Sequence, residues 1–122
     1  MICVAGPYRT GKSFLLNRMI GKSGPDTIGF EIGSTVQSCT KGIWVWGRPI
    51  KINDDLHAIL LDTEGLNSCE RDQITDIKIF TLSLLLSSYF MYNCMNAIDE
   101  NALEQLSLVA NMSKYIHVNS KP

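Results

Sequence analysis

The chain opens on an apolar run, "ICVA", that ends at Gly6, and then "KSFLLNRMI" sets Phe14, Leu15, Leu16, Met19 and Ile20 at helical spacing before Gly21. This predicts strand, loop and helix. Lys22 to Gly42 is rich in Gly, Ser, Thr, Asp and Pro and predicts a long surface segment, of a length that is usually functional or disordered. "GIWVW" and "HAILLD" are β-rich runs parted by "GRPIKINDDL", whose Gly-Arg-Pro and Asn-Asp-Asp clusters carry turn chemistry. They predict neighbouring strands in an antiparallel arrangement. The second is continuously apolar, as a strand buried on both faces is. "DTEGLNSCERDQ" is polar and predicts a loop. From Thr75, "DIKIFTLSLLLSS" predicts a mostly apolar helix, "YFMYNC" a strand, and residues 98–116 an amphipathic helix. In that last helix Ile98, Ala102, Leu106, Val109 and Met112 recur at intervals of three and four. Strands alternating with helices in this order predict an α/β sheet with flanking helices, without internal repeats or low-complexity segments.

Composition narrows the function classes. The 122 residues suffice for one modest domain. With 11 basic and 12 acidic side chains, the net charge of -1 offers no general electrostatic attraction to nucleic acid or an anionic membrane. Any phosphate affinity must therefore be local. Cys3, Cys39, Cys69 and Cys94 form no CxxC pair, so the sequence predicts neither a zinc site nor a disulfide framework, and a reducing setting. The stretch "IFTLSLLLSSYFMY" falls short of the roughly 20 residues that span a bilayer, and no membrane insertion is expected from it. Met1 leads straight into "ICVAG" with no charged leader, which predicts an intracellular, cytoplasmic location.

The local phosphate affinity is written in "GPYRTGKS". Gly6-x-x-x-x-Gly11-Lys12-Ser13 has the spacing of a phosphate-binding loop, with the strand before it and the helix after it that such a loop requires. Glycines let backbone N–H groups across Tyr8, Arg9 and Thr10 turn toward phosphate oxygens, and the helix N-terminus adds partial positive charge. Lys12 is expected to reach the outer phosphates and the Ser13 hydroxyl to ligate Mg2+. The sheet is then of the P-loop NTPase type, mostly parallel. Asp62 closes the buried strand about fifty residues later, where such enzymes carry the acid that holds the metal through water. In "DTEG", Gly65 can offer its N–H to a γ-phosphate because backbone without a Cβ approaches closely. Thr40, in the segment before the second strand, is placed either to ligate Mg2+ and sense the γ-phosphate or to be a solvated loop hydroxyl.

Together "YRTGKSFLLN", "GSTVQSCTKGIWVW", "LLDTEGL" and "LLSSYFMYN" resemble the guanylate-binding proteins, large GTPases of the dynamin-like class. Four separated segments match in order over nearly the whole chain. The related atlastins typically read "DTQG" in place of "DTEG" and lack "STVQS". The resemblance implies GTP as substrate, Mg2+ as cofactor and a nucleotide-dependent homodimer formed through the GTPase face. It also implies a role for Arg9 as an arginine finger acting in cis on dimerisation, where a guanidinium stabilises the charge that spreads over the γ-oxygens. The plainer alternative is an exposed loop arginine. Ser38 is implied to position the attacking water with help from Glu64, since Leu66 stands where small GTPases carry a catalytic glutamine; otherwise Ser38 is a turn hydroxyl. Asp76 matches an aspartate near the dimer-linked nucleotide site, or complements the dipole of its helix.

Two departures bear on this. Cys39 stands where many members carry histidine, and nothing after Tyr115 resembles the family's guanine-reading motif. The expectation is accordingly a partial, truncated GTPase domain over 1–122, lacking the last strands. Two functions are open to it: Mg2+-dependent GTP hydrolysis, or nucleotide binding without competent turnover. An ATP-using P-loop protein fits "STVQS" and "DTEG" less well.

Overall fold

The computed structural model describes residues 1–21, 29–32, 42–66 and 73–113. Strand β1 (Ile2–Ala5) leads into helix α1 (Lys12–Met19), and β2 (Ile43–Val45), β3 (Ile50–Lys51), β4 (His57–Ala58) and β5 (Leu60–Thr63) follow. Helix α2 (Gln73–Leu86), strand β6 (Tyr89–Tyr92) and helix α3 (Glu100–Ser113) complete the described elements. The main sheet has the order β2-β5-β1-β6, with β1 parallel to both β5 and β6 and β2 antiparallel to β5. This is the expected α/β architecture, a mostly parallel sheet flanked by helices.

Central position explains the apolar text of β1 and β5. Side chains alternate across a strand, so Val4 packs on the α1 side with Leu16, Phe30 and Leu60. Its neighbour Ala5 joins Leu66 and Phe80 on the α2 side, where Phe80 and Phe90 meet edge to face at 5.4 Å. All four residues of β5 are buried. Gly21, at φ 80°, closes α1 as expected, its N–H donating to the Arg18 carbonyl at 3.0 Å.

Some details differ from the sequence expectation. "HAILLD" is two strands, because the chain changes partners at Ile59: Ala58 pairs with Ile50 in a separate two-stranded ribbon, whereas Leu60 pairs with Ile2. The segment read only as turn thus contains β3, and its turn proper is held by Ile52 N–H donating to Leu56 O at 2.9 Å and by the exposed Lys51–Asp54 ion pair. The ring of Trp46 lies 5.6 Å from Phe30, whereas Trp44, two residues earlier, is 52% exposed. Helix α3 begins at Glu100, two residues later than the periodicity predicts, with the Asp99 side chain accepting from Ala102 N–H at 2.8 Å as its cap. Ile98 is left outside the helix and exposed.

Candidate functional site

Parallel pairing in register makes three strands end together. Val4 lies beside Asp62, and Ala5 beside Tyr92, so the residues that follow, Gly6, Glu64 and Asn93, emerge at one edge of the sheet. The loop from Gly6 to Gly11 rises from this edge and hands over to α1. Gly6 takes φ 146° and Gly11 φ 84°, values that side chains disfavour, and Gly11 is the N-cap of α1 with no side-chain cap on the first turn. The helix therefore presents its first N–H groups and its partial positive charge at the loop. Arg9, exposed, adopts φ 59° and is the one described residue other than glycine in the left-handed region.

The loop is braced internally. Thr10 Oγ1 donates to the Pro7 carbonyl at 3.0 Å, and Lys12 Nζ donates to the same carbonyl at 2.9 Å. Lys12 is 6% exposed. Burial pushes its pKa down from 10.5 to about 8, against the opposing pull of the Asp62 and Glu64 carboxylates. An ammonium held this way, desolvated and folded over the loop, gains more from an arriving phosphate than an exposed lysine does.

Beneath it, Ser13 Oγ donates to Asp62 Oδ2 at 2.5 Å, and Asp62 is fully buried. Two hard oxygens in contact beside a phosphate loop fit the way Mg2+ is held, by one or two protein oxygens with phosphate and water completing the octahedron. No cluster of three or more His, Cys, Asp or Glu able to hold a metal alone exists among the described residues.

"DTEG" closes the other wall. Tyr8 N–H donates to Leu66 O at 2.9 Å and Leu66 N–H to Gly6 O at 3.1 Å, a short parallel bridge that ties this segment to the phosphate loop. Gly65 sits so close to Tyr8 that a Cβ would run into the Tyr8 backbone. Glu64, 4% exposed, accepts the Gly42 N–H through Oε2 at 2.6 Å, while its own N–H donates to Gly42 O at 2.8 Å. That carboxylate is therefore fixed against the start of β2.

The structure brings together Gly6, Tyr8, Arg9, Thr10, Gly11, Lys12, Ser13, Asp62, Glu64 and Gly65. Ser38, Cys39 and Thr40 lie outside the described residues. Asp76 is buried on α2, where it lines a pocket of about 160 Å³ between α2 and α3 with Leu66, Phe80 and Leu108. Two asparagines escaped the sequence reading. Asn17 grips the backbone of Phe30, donating to its carbonyl at 2.8 Å and accepting from its N–H at 2.7 Å. Asn93 donates through Nδ2 to Thr10 O at 2.8 Å, and its own N–H donates to Ala5 O at 2.7 Å. No signal within a single element marks either one: Asn17 stands among other polar residues of α1, and Asn93 lies just past the end of β6.

Comparison with known proteins agrees with this geometry. The family model described as guanylate-binding protein, N-terminal domain, matches residues 1–122. The chain is 46% identical over 123 residues to guanylate-binding protein 3 of Mus musculus, covering all of this chain and 19% of that protein. Guanylate-binding protein 2 of Homo sapiens is 45% identical over 123 residues, with 20% of its length covered. Guanylate-binding protein 4 of Homo sapiens is 46% identical over 123 residues, with 19% covered. The chain spans about a fifth of the length of these curated relatives. A family model matched over every residue makes this chain a member of the guanylate-binding protein family, matching its N-terminal domain.

Proposed function

We propose that this chain binds GTP with Mg2+ and contributes the phosphate-handling part of a GTP-hydrolysing site. The observation that carries the reading is the Ser13–Asp62 contact at 2.5 Å beneath the buried Lys12. A hydroxyl at the start of a helix and a carboxylate near the end of a parallel strand meet beside the loop, and these two oxygens would hold Mg2+. Bound Mg2+ would supply Lewis-acid neutralisation of charge on the phosphate oxygens. The chain's own residues do the rest. Lys12 Nζ exchanges the Pro7 carbonyl for a phosphate oxygen, the uncapped turn of α1 and Gly65 offer N–H groups, and Thr40 senses the γ-phosphate. Glu64, oriented by Gly42, orders the water that Ser38 positions. Arg9 swings toward the γ-oxygens when a second copy docks on the nucleotide face.

Titration with fluorescently labelled GDP and a GTP analogue, with and without Mg2+, tests this reading. Lys12→Ala is expected to weaken both nucleotides by a factor equivalent to about 2–5 kcal/mol, as loss of a desolvated charge-assisted contact does. Asp62→Asn is expected to remove the Mg2+ enhancement of binding. Affinity that ignores both Mg2+ and Lys12 would refute the reading. Tight, Mg2+-dependent binding with no phosphate release would select the binding module without turnover.

A further inference from the structure

We propose that Asn93 is a positioning residue of the phosphate loop, setting the direction of the Gly11 N–H for a bound phosphate. The proposal rests on the reading of Gly6–Ser13 as a phosphate site. Asn93 directly follows β6, on a different part of the chain from both the loop and "DTEG". It engages the loop at two places. At the base, its N–H donates to Ala5 O at 2.7 Å, and its carbonyl fills the space that a Cβ on Gly6 would need. At the crest, its side-chain Nδ2 donates to Thr10 O at 2.8 Å.

The crest contact has a geometric corollary. In a planar trans peptide the C=O of one residue and the N–H of the next point in opposite directions, and no described peptide here is cis. Holding the Thr10 carbonyl toward Asn93 therefore turns the Gly11 N–H away from β6 and toward the opposite side of the loop. Gly11, without a Cβ and at φ 84°, has little steric preference of its own to keep that peptide from flipping. A flipped Thr10–Gly11 peptide would aim a carbonyl oxygen at the phosphate in place of a donor. Thr10 cannot secure it from within the loop, because its hydroxyl is spent on Pro7 O. The restraint must come from outside, and among the described residues it is the Asn93 amide that supplies it.

The donor is what the position requires. Asn93→Asp keeps the size and the backbone contacts but sets a carboxylate against the Thr10 carbonyl; Asn93→Ala removes the side-chain contact alone. The experiment measures, for the unaltered chain, both Asn93 variants and Lys12→Ala, the dissociation constant of labelled GDP with Mg2+. It adds the ³¹P resonance of the β-phosphate of bound GDP and the thermal unfolding midpoint without nucleotide. Expected are folded Asn93 variants, an affinity loss of about tenfold or more with Asn93→Asp losing the most, and a displaced β-phosphate resonance in the bound state. A residue acting only on stability would move the midpoint and leave the bound resonance where it was, which overturns the proposal. So does a variant that no longer folds without nucleotide, since Asn93 is then a folding residue. Lys12-dependent binding that both Asn93 variants leave unchanged overturns this proposal alone. No Lys12-dependent binding in the unaltered chain overturns the phosphate-loop reading, and this proposal with it.

Discussion

Replacing Asn17 by alanine should release Phe30 from α1 and loosen one side of the core. The amide makes two hydrogen bonds to the Phe30 backbone, at 2.7 and 2.8 Å, and Phe30 itself is 7% exposed. Each such bond contributes about 1 kcal/mol net, and a backbone group left unsatisfied when partly buried adds about 1–3 kcal/mol. Gly29 has no side chain to fill the gap, and the space a Cβ there would take is held by the Asn17 amide. The loss expected for Asn17→Ala is therefore about 2–4 kcal/mol of unfolding free energy, measured by urea denaturation. Asn17→Asp keeps the acceptor for Phe30 N–H but faces the Phe30 carbonyl with a carboxylate, so it should fare no better. A second readout is local. Phe30 packs on Trp46 at 5.6 Å, and the chain has two tryptophans, so a Trp44→Phe background leaves Trp46 as the reporter. Its emission should shift to the red in the native baseline of the Asn17 variants. An unchanged unfolding free energy together with unchanged Trp46 emission would refute the idea that this amide anchors Phe30.

Three further outcomes follow from the site. Gly65→Ala drives a Cβ into the Tyr8 backbone and should cost about 1–3 kcal/mol, as overpacking does, and weaken labelled GDP; an affinity and urea midpoint equal to the parent would contradict the close approach. Without nucleotide or Mg2+, Lys12 binds fewer protons folded (pKa about 8) than unfolded (10.5), so stability should rise by about 1 kcal/mol from pH 7 to 9. The Cys3 thiol, raised by burial to about 11, pulls the other way above pH 9, and Lys12→Met should abolish the rise; urea melts showing the same pH profile for both proteins would refute it. Arg9→Ala should leave the nucleotide dissociation constant within about threefold and lower turnover by roughly 10³–10⁵, the usual worth of an arginine finger; normal turnover would return Arg9 to a surface role.

What the sequence disclosed, and what it hid, divides along a physical line. The strand–loop–helix junction from Ile2 to Met19 was legible because its signals are local: glycines at fixed spacing between an apolar run and a helical one. The burial of the strand that carries Asp62 was legible because its run is continuously apolar up to that charge. The break at Ile59 was not, since both halves of "HAILLD" are equally β-prone and only the change of partner, from Ile50 to Ile2, separates them. The inequality of Trp44 and Trp46 was hidden for the same reason: a shared face is visible in the text, but whether anything covers it is decided by Phe30. Asn17 and Asn93 act on backbone groups 13 and 83 residues away, and no pattern within one element can show that.

Arg9 occupies a conformation that an L-residue adopts at a cost of roughly 1–2 kcal/mol and that glycine adopts freely. Even after the greater chain entropy of unfolded glycine is set against it, Arg9→Gly should leave the fold no worse off and by simple accounting slightly more stable. A search for hardier variants of this protein would therefore drift toward glycine at position 9, and toward a loop of the same shape that has lost its guanidinium. Thermal tolerance and the role proposed for this guanidinium are in opposition at this one residue, so selection for the first alone would erase the charge without leaving a mark on the fold.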